Sequence, residues 1–175
     1  MIRGKQCILK RLETSDLDAL WPILSHPTVW PWLVWDPSVV TQQSLLPVLL
    51  ASEAGTSSMG LAILMGEELV GAMTLNSIHP VHRSAQVGVL ALAEGKRLGW
   101  LALDAMDTLR AYAFDTLNLN RLTCATWQDN ETMAAIFKRM GIGLEARQKQ
   151  AVWRNGEFQD RLVYALTRDQ WRSTR

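Results

Sequence analysis

The sequence has few of the residues that announce a metal site or a disulfide framework. It contains two cysteines, Cys7 and Cys124, each inside an apolar, strand-like run. Two isolated thiols indicate reduced core residues and favour a cytoplasmic setting. The three histidines, His26, His79 and His82, are scattered along the chain. Because zinc sites need closely spaced ligand pairs, we expect no bound metal.

Common nucleotide and hydrolase motifs are missing as well. The chain has no GxxxxGKS/T, GxGxxG, HExxH or GxSxG, which argues against a Walker-type loop, a dinucleotide fold, a zinc peptidase and a serine hydrolase. The formal net charge of +1 gives no general case for binding nucleic acid. No apolar run approaches the roughly 18 residues of a membrane span, and the N-terminus lacks a signal-peptide core. We therefore expect neither a membrane nor a nucleic-acid partner.

The composition is that of a globular domain. Hydrophobic residues make up 48% of the 175-residue chain and charged residues 20%, which is typical of a soluble fold with a substantial core. No linker, repeat or low-complexity segment divides the sequence. We expect a single domain over residues 1–175.

Hydrophobic periodicity predicts the order β-α-α-β-β-β-α-β-α-β-β, a mixed α+β arrangement. The first strand is predicted over Lys5 to Leu12, and a second helix from Thr41 to about residue 54. A later helix is predicted from Gly99 to about Asp115, and Asn155-Gly156 predicts a hairpin turn. The strand–helix–strand unit over 85–127 predicts a parallel strand pair.

The stretch AEGKRLGWLALDAM, residues 93–106, lies between a predicted strand and an amphipathic helix. Glycines in such a turn allow several N–H groups to point into one concavity, and the helix start adds the positive end of a dipole. This combination suits a pyrophosphate. Taken alone, however, two glycines after a strand indicate a plain turn equally well.

Four segments, taken in order, resemble one known family. The run CILKRLETSDLDAL is similar to its opening strand and helix, and IHPVHRSAQVGV to its fourth strand with the run before it. YAFDTLNLNRLTCATWQDNETMAAIFKRMGI resembles the passage from its third helix through its fifth strand to its fourth helix, and GLEARQKQAVWRNGEFQDRLVYALTRDQW resembles its closing hairpin. This family is the GCN5-related N-acetyltransferase (GNAT) superfamily, in its RimJ/RimL-like branch of N-terminal protein acetyltransferases. The resemblance implies the GNAT acyl-CoA N-acyltransferase fold, in which a mostly antiparallel mixed sheet contains one splayed, parallel strand pair.

The resemblance also implies acetyl-CoA as the donor and a primary amine as the acceptor, with direct attack of the amine on the thioester. Backbone N–H groups at Val89 and Leu90 would form an oxyanion hole, and Asn130 and Phe137 would lie beside the pantetheine arm. The loop implied to cradle the pyrophosphate comprises Gly95, Lys96, Arg97, Leu98, Gly99 and Trp100.

The loop departs from the family pattern Gln/Arg-x-x-Gly-x-Gly/Ala. Aligned on Gly99, Glu94 replaces the Gln/Arg and Arg97 replaces the first glycine. If that glycine needs positive φ, Arg97 carries about 1–2 kcal/mol of strain or the loop has another shape. Lys96 and Arg97 either bind phosphate through their side chains or are ordinary solvated cations.

The usual proton-handling residues are also replaced. Gln86 stands where many relatives have Glu, Phe137 where Tyr is common, and Met133 where some relatives have Ser. The remaining catalytic candidates are Gln86 and Asn130, which could hold a water, and His82 as a base. The alternative for His82, and for the substrate-side candidate His79, is a loop histidine bonded to solvent.

Without a strong base, the pKa of the acceptor amine decides what can react. Delivering a neutral lysine amine at pH 7 costs about 4.6 kcal/mol, whereas a free α-amine costs only about 1 kcal/mol. An α-amine or another amine of low pKa is therefore the favoured acceptor.

Three tryptophans, Trp30, Trp32 and Trp35, stand between the two N-terminal helices. They are predicted to line the acceptor entrance, or else to fill the gap between helix and sheet. The leading function is acetyl transfer from acetyl-CoA to a protein N-terminus or a small-molecule amine. The alternatives are a non-catalytic acyl-CoA-binding module, or an acyltransferase with another donor such as succinyl-CoA. A homodimer is possible by resemblance.

Overall fold

The fold is built on one eight-stranded sheet. The computed structural model describes residues 1–33, 40–49, 55–96, 99–154 and 156–173, without the side chains of Leu46 and Val48. The strands are β1 (Ile2–Arg3), β2 (Ile8–Arg11), β3 (Ser57–Met65), β4 (Glu68–His79), β5 (Ser84–Leu92), β6 (Arg121–Trp127), β7 (Gly143–Arg154) and β8 (Glu157–Thr167). The helices are α1 (Leu17–Leu24), α2 (Gln42–Leu49), α3 (Gly99–Ala111), α4 (Glu131–Arg139) and α5 (Arg168–Arg172).

The strand order across the sheet is β1-β2-β3-β4-β5-β6-β8-β7. Strands β5 and β6 are parallel, and the other neighbouring pairs are antiparallel. The predicted mixed, mostly antiparallel sheet and its parallel pair are therefore confirmed. Because β1 precedes the first predicted strand, the family's fourth and fifth strands are β5 and β6 in this numbering.

Most predicted elements are present, with differences at both ends of the chain. The predicted first strand is observed as the shorter strand β2. Residues Ile2–Arg3 form an additional strand, β1, which pairs antiparallel with it. The short helix α5 was not predicted; its N-cap is the Thr167 hydroxyl, which accepts from the Gln170 N–H. Helix α2 is described as far as Leu49, and residues 50–54 of the predicted helix, like Asn155 of the predicted turn, lie outside the described residues.

The two faces of the sheet bury separate apolar clusters. One face packs against α3 and α4 through residues such as Met73, Leu75 and Val87. The other face packs against α1 and α2 through small residues such as Ala72 and Ala91. Because successive side chains on a strand point to opposite faces, a polar residue between two members of the α3/α4 cluster must point to the α1/α2 side.

The β1–β2 turn is tied to helix α3 by one carboxylate. Asp104 accepts hydrogen bonds from the backbone N–H groups of Lys5, Gln6 and Cys7, at 2.8–3.0 Å. Partial burial alone would raise the pKa of Asp104, but these three donors outweigh it and lower that pKa below its usual value. The carboxylate thus replaces strand pairing for a turn that has too few residues to satisfy its own N–H groups.

Strands β5 and β6 stay paired over only part of their length. The parallel register runs from Ser84 opposite Arg121 to Val87 opposite Cys124. Beyond Val87, β5 remains paired with β4 as far as Leu92, while β6 remains paired with β8 as far as Trp127. The two strands therefore diverge, and a cleft opens between them at their carboxyl ends.

Both cysteines are buried and free, as predicted. Within the described ranges, no helix is long and apolar enough to cross a membrane.

Candidate active site

A cavity of about 410 Å³ fills the cleft between β5 and β6. Its walls come from the diverging strands, from α3 and α4, and from the segment after α1. Of the predicted site residues, the lining includes Trp32, Gln86, Val89, Leu90, Gly99, Asn130 and Phe137. The splay predicted from the resemblance is therefore present, and it encloses this cavity.

Polar side chains meet at the inner end of the cavity on the α1/α2 side of the sheet. Asn76 on β4 is directly opposite Gln86 on β5, and both line the cavity. The Asn76 Oδ1 atom is buried and has no hydrogen-bond partner among the described residues. An unmet buried acceptor costs about 1–3 kcal/mol. A ligand that donates an N–H to this oxygen would recover that cost.

A bulge in the β4–β5 pairing shapes the same end of the cavity. The register shifts between Met73 and Leu75, and the Val89 N–H donates to the Thr74 Oγ1 at 3.0 Å. A Cβ added to Gly88 would lie 2.4 Å from that hydroxyl oxygen, so any larger residue would have to displace the Thr74 side chain. The predicted oxyanion donor at Val89 thus already has a protein partner, and a ligand oxygen would compete with Thr74 for it.

The loop after β5 begins with a tight turn. The Lys96 N–H donates to the Ala93 carbonyl at 3.0 Å, and Gly95 inside the turn has φ +76°. The left-handed position in the described part of the loop is therefore Gly95. Arg97, for which the sequence predicted either strain at positive φ or a loop of another shape, lies outside the described residues together with Leu98. Trp100 is partly exposed in the first turn of α3.

Two charged side chains of this loop contact other parts of the fold. Glu94 Oε2 lies 3.0 Å from Nε2 of His26, in the turn after α1, and the other ring nitrogen of His26 contacts the Thr28 hydroxyl. Lys96 Nζ lies 2.9 Å from Glu68 Oε2 on β4. The glutamate that departs from the family pattern thus joins the loop to the turn after α1, and Lys96 already has a carboxylate partner.

The start of α4 offers a cap rather than a base. The Asn130 Oδ1 accepts from the Met133 N–H at 3.1 Å, so the side-chain oxygen of Asn130 is committed to the helix. Its amide nitrogen remains as a donor toward the cavity. Phe137 is buried against the ring of Tyr164, at 4.8 Å between centroids. Neither residue can transfer a proton.

The other ionisable groups near Phe137 are held neutral. Burial raises the pKa of the Cys124 thiol to about 12, and Cys124 lines the cavity. Burial likewise raises the pKa of Tyr164, with a smaller contribution from Cys124. A neutral thiol is a poor nucleophile, so a covalent acyl-cysteine is not favoured here.

The two candidate histidines lie at the opposite end of β5. His79 and His82 stack in the β4–β5 turn with ring centroids 4.0 Å apart, and the His82 N–H donates to the His79 Nδ1. Neither residue lines the cavity. Because a general base must be within hydrogen-bond reach of the reacting proton, this arrangement does not support the predicted role of His82 or of His79.

Of Trp30 and Trp32, the two predicted entrance tryptophans that the structure describes, Trp32 reaches the cavity. Trp32 lines its mouth, and the guanidinium of Arg154, at the end of β7, lies 4.1 Å above the Trp32 ring. Arg154 also pairs with Asp129 in the β6–α4 turn, at 2.9 Å. Trp30 does not line the cavity, and Trp35 lies outside the described residues.

Sequence reasoning missed three residues of the site, Thr74, Asn76 and Arg161. The run AMTLNSI alternates polar residues within an otherwise buried strand, and that alternation would have predicted two polar groups on one face. Arg161 alternates in the same way with Leu162 and Tyr164 of the opposite cluster.

Comparisons with known proteins agree with this geometry. The family model "Acetyltransferase (GNAT) domain" matches residues 6–142. The Bacillus subtilis (strain 168) protein named "Putative ribosomal N-acetyltransferase YdaF" is 24% identical over 93% of this chain and 92% of its own length. The spermidine N-acetyltransferase of Vibrio cholerae, solved with CoA and spermine, has a TM-score of 0.85 at 18% identity, covering 96% of this chain and 99% of its own. RimL, a ribosomal L7/L12 α-N-protein acetyltransferase solved with CoA, has a TM-score of 0.79 at 23% identity, covering 95% and 97%.

The chain belongs to the GNAT acetyltransferase family. It is a CoA-dependent acetyltransferase with acetyl-CoA as the donor, and its relatives agree with the RimJ/RimL-like branch inferred from the sequence.

Proposed function

We propose that this protein transfers the acetyl group of acetyl-CoA directly to a primary amine. The amine is either the α-amine of a peptide or protein N-terminus, or a primary amine of a small molecule. The observation that carries the proposal is the open cleft between β5 and β6, with Asn76 and Gln86 at its inner end. The cleft suits the pantetheine arm, and the two amides suit the amine. The fold of the RimL and spermidine acetyltransferase neighbours is compatible with either kind of acceptor.

The chemistry requires little from the side chains. The nitrogen lone pair of the neutral amine attacks the thioester carbonyl, a C–N bond forms, and the C–S bond breaks to release CoA as a thiolate. The excess proton of the amine leaves through water held near Gln86, or neutralises the thiolate. Because neither Gln86 nor Asn130 can accept a proton at neutral pH, the acceptor must supply its own low pKa, which favours an α-amine.

Titration calorimetry with acetyl-CoA, followed by a thiol-release assay across an amine panel, tests the proposal. We expect saturable binding and CoA release that is faster with peptides bearing a free α-amine than with Nα-blocked lysine. Saturable binding without release for any amine would replace acetyl transfer with the acyl-CoA-binding module. Faster release from succinyl-CoA than from acetyl-CoA would change the donor.

Three further expectations belong to the same proposal. We propose that residues 1–175 act as one domain, that the protein works in the cytoplasm, and that two copies assemble into a homodimer. Sedimentation velocity of the purified chain, with and without acetyl-CoA, tests the assembly.

A further inference from the structure

The charge of the cavity wall is unusually one-sided. Among the described residues that line the cavity, Arg161 is the only one with a charged side chain, and the other polar members are amides and threonines. Nearby carboxylates face partners of their own: Asp129 is paired with Arg154, and Asp160 with Arg147. The wall therefore presents a positive charge to whatever enters and no described negative one.

Arg161 points to the same side of the sheet as the amides at the inner end of the cavity. Its neighbours Leu162 and Tyr164 contact the α3/α4 cluster, so Arg161 faces the opposite side. Gln86 lies between Ala85 and Val87 of that same cluster, and it also faces the opposite side. The guanidinium and the amides therefore share the face that an acceptor would occupy, not the face that holds α3.

The guanidinium has no carboxylate partner among the described residues. Its described hydrogen bond runs from Arg161 Nη1 to Oε1 of Gln148, at 3.1 Å, and Gln148 is its cross-strand neighbour on β7. On its other side, Arg161 is directly opposite Trp127 on β6, whose ring lines the cavity. A half-buried guanidinium with one neutral partner keeps N–H donors that match a carboxylate.

From these observations, we infer that the acceptor is a primary amine that also carries a carboxylate, and that Arg161 binds this carboxylate. The inference rests on the proposed acetyl transfer to an amine and names the class of acceptor. A polyamine, which is cationic at each end, would place a second positive charge near Arg161, and is disfavoured.

The strand positions limit how far the carboxylate stands from the amine. Arg161 is on β8, two strand spacings or about 10 Å from β5 in the pairing direction. Along the strands it lies about 13 Å beyond Gln86, because Gln86 is opposite Thr123 and Arg161 is opposite Trp127. The α-carboxylate of a single amino acid is too close to its own amine to span that gap. A short peptide with a free N-terminus and an acidic side chain at the second or third position fits it.

Matched peptides test the inference. The acetylation of Ser-Glu-Ala-amide and of Ser-Gln-Ala-amide, which differ in one carboxylate, would be followed by CoA release at saturating acetyl-CoA, with spermidine as a third acceptor. We expect kcat/KM to be about tenfold higher for the acidic peptide, mainly through KM. In Arg161→Gln, we expect the ratio of kcat/KM between the acidic peptide and its neutral twin to fall to about one. Arg161→Lys should restore part of the preference.

Lys149→Gln is the matched control, because Lys149 is exposed on the same hairpin and outside the cavity wall. It removes the same charge and should leave the acidic preference intact. Equal rates for the two peptides in the wild type, an acidic preference that survives Arg161→Gln, or the highest rate with spermidine would each overturn the inference while leaving acetyl transfer in place. A preference for succinyl-CoA that depends on Arg161 would also overturn it, by assigning the carboxylate to the donor. No CoA release with any amine would overturn the proposed function, and this inference with it.

Discussion

At the scale of single residues, the site depends on groups that have no partner or no side chain. The Asn76 Oδ1 atom, which is unpaired among the described residues, and the absent Cβ of Gly88 both lie next to the β4–β5 bulge. Both features are costly or neutral for folding, and both leave room for a ligand. Polar groups left unpaired in a core are expected where function requires them.

Asn76→Ala should separate stability from activity. We expect the free energy of unfolding to change by no more than about 1 kcal/mol, because the lost packing is offset by removing an unmet acceptor. The kcat/KM for an amine acceptor should fall about tenfold, since the N–H donor of the amine loses its partner. Urea unfolding and the thiol-release assay measure the two effects. Asn76→Asp keeps the oxygen and should retain acceptor binding. An unchanged kcat/KM in Asn76→Ala would show that the oxygen does not meet the acceptor.

Gly88→Ala should disturb the bulge directly. The new methyl group would press on the Thr74 hydroxyl and on the Asn76 amide, at 2.4 and 2.7 Å. We expect a loss of about 1–3 kcal/mol in stability from overpacking, and a lower kcat. Gly143→Ala is the matched control, because its added Cβ meets nothing within 4 Å, and it should be nearly neutral. Thermal unfolding measures the Tm of both variants, and an equal fall in the two Tm values would contradict the expectation.

At the scale of secondary-structure elements, single side chains make the long-range ties. Asp104 holds the β1–β2 turn on α3, the contact of Glu94 with His26 links the loop after β5 to the turn after α1, and Arg154 links the β7–β8 hairpin to Trp32. Each tie joins segments that are adjacent in space but not in the strand order.

Asp104→Asn should destabilise the fold in a pH-dependent way. At pH 7 we expect a loss of about 1–2 kcal/mol, because three N–H donors lose a charged acceptor. The folded-state pKa of Asp104 is lowered, so its contribution is complete above the unfolded value near 3.9 and is lost as the pH falls through the lower folded value. The difference between wild type and variant in urea unfolding should therefore shrink as the pH falls below the unfolded value. Asp169→Asn, at an exposed position in α5, should show no such trend.

At the scale of the whole molecule, acetyl-CoA should act as a structural component of the sheet. If the donor fills the cleft between β5 and β6, it binds the folded state alone and stabilises it by about 2.7 kcal/mol at 100 times Kd. For a chain of this size, that corresponds to a rise in Tm of about 5–10 °C. Differential scanning fluorimetry with acetyl-CoA measures it, and acetyl phosphate, which lacks the pantetheine arm, is the control. An equal rise with both ligands would indicate that the cleft is not the site.

The same scale shows how far the sequence could predict this protein. Periodicity predicted the order of the elements and the parallel pair, whereas the mostly antiparallel sheet and the site positions of Gln86 and Phe137 were implied by the family resemblance. The role of Glu94 was not predictable, because its partner His26 is distant in the chain. His82 looked promising through its closeness to Gln86 in sequence, yet a residue before β5 lies at the end of the strand opposite the cleft. Sequence order does not show which end of a strand faces a site.

The short pairing between β5 and β6 has a mechanical consequence. Four residue pairs at one end join a five-stranded half-sheet to a three-stranded half-sheet. This short paired segment is a hinge between the two half-sheets. We expect the slow collective motion of this molecule to be a rocking of the two halves about Ser84–Val87, with the largest amplitude at the mouth. A donor arm bound between the two half-sheets would restrict that rocking. The rate at which spent CoA escapes would then depend on the stiffness of the hinge, far from the reacting atoms.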